Sequence, residues 1–320
     1  MLIADGRVQL HAQKGTALHG LLGHVLFGSL CRFEGEPACA GCWLRASCAY
    51  GTLFEELMPV PPPRGLKGIR TPPRPYVTVC DDSETMYERG STLSFALRLF
   101  GRAAELQGSI ALAWEDVARK AEEDSRSVGA DERPVHDEEH SHRIEIRSGG
   151  FALLEIERVT ANGTLEPLLY RRHPDAPFRL ETLAEPPAVP TSRGLRIRFL
   201  SAAGLDRPTT NWLYVLVEAI RRRAFQLSAI YQGWVDDGSS YSPLLRIAET
   251  TKERVVMEKR GVQFRSGNNG ATTRPLEGSH LTLEIDEFPD ELRETLAWGT
   301  ILHVGKNATS GLGRYVVEEM

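Results

Sequence analysis

The residues best suited to chemistry in this 320-residue chain are a few histidines, a cluster of thiols and a glycine-rich tail. His19 and His24 fall in the first stretch with helical periodicity, and His303 stands beside the tail. An imidazole titrates near neutrality and so can serve as general base or general acid, although a lone helical histidine is as readily a surface or packing residue. Cys31, Cys39, Cys42 and Cys48 form a C-x7-C-x2-C-x5-C pattern whose central pair has the short loop that lets two thiolates meet one ion. The four could hold a structural zinc or an iron–sulfur centre, or remain a reduced, partly buried thiol cluster. Five cysteines argue against a disulfide framework, and the distant Cys80 reads as a small core residue.

The tail, residues 303–315, reads HVGKNATSGLGRY. Gly305, Gly311 and Gly313 can adopt positive φ and bring backbone N–H groups close to a phosphate chain, while Lys306 and Arg314 supply charge. The same glycines could instead only shape a tight turn, and the order G-x-x-x-x-G-K-[ST] of a nucleotide loop is absent. Further cations are patterned. Arg196 and Arg198 alternate on one strand face, with Lys252, Arg254, Lys259, Arg260 and Arg265 on a neighbouring hairpin, and Arg221, Arg222 and Arg223 follow one another on a helix. A phosphate-tracking groove and an ordinary solvated face both fit these arginines. His136, His140 and His142 stand in an acidic loop that reads as a polar insertion rather than a metal site.

The net charge of −5 conceals a segregation. Residues 122–142 hold eight acidic and two basic side chains, net −6, whereas residues 191–275 hold fourteen basic and seven acidic, net +7. A ligand meets the local field within a Debye length of about 8–10 Å, so the acidic average does not exclude a polyanionic partner. No apolar run is long enough to span a bilayer and the N-terminus lacks the pattern of a secretory signal, so the expected location is the cytoplasm with no membrane association.

The elements that must position these residues follow from periodicity. Residues 16–30 place Leu18, Leu22, Val25, Leu26 and Ser29 on one helical face, with His24 pointing away and His19 on the flank. Residues 91–100 alternate as a half-buried strand, residues 110–122 read as a helix, and residues 123–142 as a loop. A hairpin is expected over 151–160 and 165–171 around Asn162-Gly163, with proline-rich connectors at 59–63 and 72–75. The proline-rich stretch 181–190 separates two domains, 1–185 and 191–320. In the second, strand 195–199, helix 211–231, strands 254–264 and 279–288, helix 290–298 and a glycine-interrupted strand 301–317 follow the order of a ferredoxin-like β-α-β-β-α-β unit. The first half reads the same way with residues 6–10 as its opening strand. The expected class is α+β, two tandem ferredoxin-like domains with a C-terminal glycine-rich loop.

Several stretches together resemble the RAMP-superfamily endoribonucleases that process CRISPR precursor RNA, in the branch with a cysteine cluster after the first helix. They are Leu18-His19-Gly20-Leu21-Leu22-Gly23-His24 leading into Cys31; Cys39-x2-Cys42-x5-Cys48 with the following Ala49 to Glu55; Arg74-Pro75-Tyr76; the strand from Leu93 to Gly101; and the tail. The resemblance implies cleavage at the base of a CRISPR repeat stem-loop with no metal needed for catalysis, leaving a 2′,3′-cyclic phosphate. It makes His24 the first candidate catalytic residue and His19 the second, with Lys14 and Tyr50 as possible aids to charge stabilisation. With RNA as the partner, the candidate contacts from the charge and glycine patterns above are Gly305, Lys306, Gly311, Gly313, Arg314, Arg196, Arg198, Arg221 and Arg222. Two other readings stay open: a non-catalytic RAMP subunit holding the 3′ stem-loop of a guide RNA among other subunits of an effector complex, and a zinc-containing scaffold that binds protein.

Overall fold

A computed structural model describes residues 1–31, 39–44, 47–55, 58–69, 71–127, 151–153, 155–159, 165–169, 186–205, 211–233, 241–265 and 273–320. The chain divides into two compact units, residues 1–57 with 78–184 and residues 58–77 with 185–320.

The first unit opens with β1 (Leu2–Ala4) and β2 (Val8–Gln9), followed by α1 (Gly15–Leu30), a 3-10 turn at Cys39–Gly41 and α2 (Ala49–Leu53). After β3 (Tyr76–Val79), in which the chain passes between units, come β4 (Met86–Tyr87), β5 (Thr92–Leu93), β6 (Ala96–Leu99), a 3-10 turn (Gly101–Leu106) and α3 (Gln107–Ser127). Strands β7 (Phe151–Leu153), β8 (Ile156–Val159) and β9 (Leu165–Leu169) complete it. β1 is the centre of an antiparallel sheet of order β5-β1-β7, pairing Leu2 with Leu93 and Leu153. The opening strand is therefore residues 2–4 rather than 6–10: Leu2 and Ala4 are both buried, and Gly6 begins the turn into β2. α1 buries Leu18, Leu21, Leu22, Val25, Leu26 and Ser29, and Ser29 donates to the Ala113 carbonyl of α3 at 3.2 Å.

The alternating run 91–100 is not one strand. It breaks at Ser94 and Phe95 into β5 and β6, and of its apolar residues only Leu93 is fully buried. α3 continues to Ser127, so the first five residues of the expected acidic loop are helical, and residues 128–142 lie outside the described residues. β8 and β9 pair as the expected hairpin, although residues 151–153 leave it for β7 and the Asn162-Gly163 turn lies outside the described residues.

The second unit contains β10 (Leu195–Phe199), α4 (Trp212–Tyr231), α5 (Tyr241–Thr250), β11 (Arg254–Arg265), β12 (Thr273–Ile285), α6 (Arg293–Leu302) and β13 (Tyr315–Glu319). Its antiparallel sheet runs β11-β12-β10-β13, so the first strand lies between the third and the fourth, and α5 is added to the β-α-β-β-α-β order. Asn211 caps α4 by accepting from the Tyr214 N–H at 2.8 Å, and Glu253 accepts from the Leu213 N–H at 2.8 Å. Leu195, Ile197, Phe199, Leu281, Leu283 and Ile285 line one buried face of the sheet. Tyr315 donates to the Leu296 carbonyl at 2.7 Å, and a Cβ on Gly299 would meet its hydroxyl at 2.0 Å, which keeps glycine in the middle of α6.

Two expectations change here. Residues 301–302 finish α6 rather than start a strand, and the final strand begins only at Tyr315, after the glycine loop. Residues 58–77 belong with the second unit, not with the first domain. Proline-rich chain has no periodic face from which to build an element, and this stretch packs along α4 instead. Gly65, at φ +83°, lies against the Phe225 ring, Tyr231 donates to the Pro73 carbonyl at 3.1 Å, and Leu66 is buried. Among the described residues no helix is long and apolar enough to cross a membrane.

Candidate functional site

α1 carries both candidate histidines, five residues apart. That offset turns about 140° around the helix and climbs about 7.5 Å, so the two imidazoles serve different faces. His24 is exposed, with Gly20 and Gly28 one turn away on either side and open space where their side chains would be. His19 is half-buried and stacks on Phe54, centroids 5.0 Å apart. The Phe54 ring lies so close over Gly23 that a Cβ there would stand 2.7 Å from it. Tyr50 lies parallel to Phe54 at 5.5 Å and meets Phe27 edge-on at 5.3 Å. Burial first, then Glu55, pushes the Tyr50 hydroxyl above its ordinary range. His303 is fully buried at the end of α6 with φ +56°, which removes it from any surface chemistry.

Lys14 precedes α1 and is only 2% exposed. Its ammonium donates to the Asp82 carbonyl at 2.8 Å, stands 3.6 Å from the Asp82 carboxylate and lies 5.5 Å over the Tyr87 ring. Tyr87 donates to the same carboxylate at 2.7 Å, and burial, then that bond, holds its hydroxyl far above the ordinary range. Lys14 therefore fixes the start of α1 to the segment before β4, and its charge does not reach a phosphate at the surface.

The four clustered cysteines are free thiols at the edges of short elements. Cys31 caps the C-terminus of α1, Cys39 opens the 3-10 turn, the Cys42 N–H donates to the Cys39 carbonyl at 3.2 Å, and the Cys48 sulfur accepts from the Gly51 N–H at 3.5 Å. Burial pushes the Cys39 thiol up to about 11, helped by Glu55 and the other three cysteines. The donor set suits zinc, but among the described residues no three His, Cys, Asp or Glu side chains are grouped so as to hold a metal ion. Cys80 is half-buried rather than a core residue, its sulfur 3.6 Å from the Ser94 carbonyl.

The glycine loop is pinned to residues 201–204. Gly313 donates to the Ala202 carbonyl at 3.0 Å, Lys306 to the Gly204 carbonyl at 3.1 Å, and Ser201 to the Gly311 carbonyl at 2.9 Å. Gly305, Gly311 and Gly313 all have positive φ. Gly313 is buried, and a Cβ on it would fall 1.7 Å from the Val304 oxygen, so its role is the shape of the loop and not contact with a ligand. Lys306 is exposed, and Gly305, Gly311 and Arg314 are half-exposed.

The outer row of the sheet is not a bare basic face. Arg196 donates to Glu284 at 2.9 Å, Arg254 grips the same carboxylate, and Arg198 donates to Glu318 at 3.1 Å. Arg254 and then Arg196 hold the Glu284 carboxyl below its usual range, as Arg198 does that of Glu318. Positive charge on β10 is thus balanced across the strands. The three consecutive arginines of α4 diverge by about 100° each. Arg222 is exposed, 4.0 Å from Glu218; Arg221 is half-buried; Arg223 donates to the Leu302 carbonyl at 2.8 Å, and burial lowers its guanidinium to about 10. His136, His140 and His142, and the side chains of Lys259, Arg260 and Arg265, lie outside the described residues. The aromatic ladder beside His19 was missed in the sequence, although the i, i+4 spacing of Tyr50 and Phe54 was a usable signal.

These features meet known proteins at two levels. In fold, the whole chain is similar to a Cas6 (TTHB231) product complex, with 14% identity, 99% of this chain and 98% of that chain covered and a TM-score of 0.51. A second structure of that protein, Thermus thermophilus Cas6, matches 41% of this chain and 55% of its own at 15% identity and TM-score 0.29, and a Cas6 (TTHA0078) product complex aligns over both full lengths at 16% identity and TM-score 0.36. The chain is accordingly a mixed helix-and-strand protein with the fold of that first Cas6 structure. The profile described as AF_1859_N, N-terminal domain, matches residues 1–173, and the chain belongs to that family. No curated protein matches it in sequence.

Proposed function

We propose that this chain binds the stem-loop of a CRISPR repeat and cleaves it without a metal ion, producing guide RNA. The observation that carries the reading is His24, exposed on α1 between two bare helical turns, in a chain similar over its whole length to a Cas6 product complex. In this reading both units are ferredoxin-like domains; the strand order of the second supports it directly. The neutral imidazole of His24 takes the proton of a 2′-hydroxyl, whose oxygen forms a bond to the adjacent phosphorus. The bond to the 5′-oxygen breaks, that oxygen leaves with a proton from solvent, and a 2′,3′-cyclic phosphate remains. Lys306, Arg314 and the backbone at Gly305 and Gly311 hold the RNA backbone, and Gly313 keeps their loop in shape. Arg222 and Arg221 add phosphate contacts, whereas Arg196 and Arg198 reach phosphate only by releasing Glu284 and Glu318.

A stem is recognised through phosphates and 2′-hydroxyls because its major groove is too narrow to read. Stem shape therefore dominates selection. The test is incubation of the purified chain with its repeat RNA in EDTA. The expected result is a single cut that survives chelation, falls by about 10²–10⁴ in rate in His24→Ala, and persists in His19→Ala. Tight binding with no cut in the native chain would overturn the nuclease assignment in favour of a subunit that retains the RNA.

A further inference from the structure

We infer that the proline-rich strap, residues 58–77, is a phosphate-binding surface that extends the RNA path from the glycine loop across α4. This rests on the proposed RNA-binding function and adds a separate site to it. Residues 58–77 hold four cations, Arg64, Lys67, Arg70 and Arg74, and no acidic residue; Arg70 lies outside the described residues. Two of the four are presented alike. The Pro63 carbonyl accepts from the Leu66 N–H at 3.1 Å and the Leu66 carbonyl from the Ile69 N–H at 3.2 Å, which closes two β-turns in succession. Each turn has a cation second, Arg64 or Lys67, and a glycine third, Gly65 at φ +83° or Gly68 at φ +91°, the positive φ that a type II turn requires there. The residue the turns share, Leu66, is 1% exposed, and Gly65 lies against the Phe225 ring of α4, a Cβ there standing 3.1 Å from it. Tyr231 holds the far end through the Pro73 carbonyl at 3.1 Å. Arg64 and Lys67 are exposed side chains on this fixed frame, and among the described residues neither has a carboxylate partner.

The frame leads toward the glycine loop. At about 100° per residue around α4, Arg222 falls between Phe225, which the strap covers, and Arg223, which donates to the Leu302 carbonyl at the end of α6. Exposed Arg222 therefore stands on the surface between the strap and the start of the loop, where Gly305 and Lys306 follow. A cation with no carboxylate to release gains more from a phosphate than Arg196 or Arg198, whose contacts with Glu284 and Glu318 must first be given up. The charge of the strap selects a polyanion. Its continuity with the loop selects the backbone of the RNA proposed to lie there over an acidic protein segment.

The test measures the affinity of the full-length chain for its repeat RNA as a function of salt. Replacing Arg64 and Lys67 together by glutamine is expected to weaken binding about tenfold or more near about 0.1 M salt, and to flatten the slope of log affinity against log salt by about 1.4–1.8, two phosphate contacts at about 0.7–0.9 each. Both side chains are exposed, so the urea midpoint should stay where it is. Arg64→Lys with Lys67→Arg keeps both charges and should retain the native slope. Arg7→Gln with Arg89→Gln removes two exposed cations of the first unit, controls for net charge, and should also leave the slope unchanged. Trimming the RNA from each end in turn should reach a length at which the native chain and the double glutamine variant bind alike, which identifies the phosphates held. A native slope in the glutamine variant, or an equal loss in the first-unit control, overturns this inference alone and leaves the strap to packing or to an acidic protein. A native chain that binds no repeat RNA overturns the RNA-binding function as well.

Discussion

Substituting Gly313 by alanine separates the structural work of the glycine loop from any contact it makes. Gly313 sits at φ +67°, where an L residue costs about 1–2 kcal/mol. Its new Cβ would fall 1.7 Å from the Val304 oxygen, a backbone atom, where real Cβ atoms essentially never approach within 3.0 Å. Something must therefore move by about 1.3 Å, and the movement is resisted by two hydrogen bonds, Val304 N–H to Gly313 at 3.1 Å and Gly313 N–H to Ala202 at 3.0 Å. Each is worth about 0.5–1.5 kcal/mol, so the total expected loss is about 2–5 kcal/mol. Gly68→Ala is the matched control, since φ there is +91° with nothing within 4 Å of the new Cβ. It should lose only the conformational part, about 1–2 kcal/mol. Urea unfolding followed by two independent probes compares the midpoints, at unchanged slope, for the two variants. A Gly313→Ala midpoint equal to that of Gly68→Ala would refute the packing argument and return Gly313 to the candidate ligand contacts.

Other consequences are equally direct. Lys14→Ala leaves the Asp82 carboxylate with the Tyr87 hydroxyl but without its cation, and is expected to destabilise the first unit by about 2–4 kcal/mol by thermal or urea unfolding. Asp116, held to about 2 chiefly by Lys120 with help from Arg119 and Ser29, has a folded pKa below its unfolded one. Its stabilisation is therefore complete above about pH 4 and is lost as pH falls toward about 2, and an Asp116→Asn chain should show a flatter stability profile across that window. Cys39, buried and raised to about 11, should react with iodoacetamide at pH 8 more slowly than the half-exposed Cys42, as peptide mapping would reveal. Lys306→Ala is expected to weaken binding of all repeat RNAs alike and to flatten the slope of log affinity against log salt by about 0.7–0.9.

What was legible in the sequence was set by short-range pattern. α1 and α4 declare themselves by apolar spacing, and Asn211 marks its helix start because a cap acts within three residues. β10 shows its alternation plainly: Leu195, Ile197 and Phe199 are buried, and Arg196 and Arg198 face out. What failed depends on partners far along the chain. Glu284 lies 88 residues from Arg196 and Glu318 lies 120 from Arg198, so the neutralisation of the basic strand has no local signature. The reading of Lys14 as a possible aid to charge stabilisation missed its burial because its partner, Asp82, is 68 residues away. α5 has no counterpart among the expected elements; its Pro243 falls in the first turn of the helix, where proline is tolerated.

The same long-range pairing constrains where binding energy can come from. A guanidinium that already grips a carboxylate must exchange that bond for a phosphate and leave the carboxylate solvated, so its net gain on binding is small. For Arg196, Arg198 and Arg254 that exchange applies; for Arg222 the competing Glu218 contact is as long as 4.0 Å. Removing Glu284 is the informative perturbation. Glu284→Gln leaves Arg196 and Arg254 without their shared anion, and if RNA crosses this sheet face both its affinity and its salt slope must rise. If neither changes, the outer face of the second unit carries only its own cross-strand ladder, and phosphate recognition belongs to the glycine loop and the exposed side of α4.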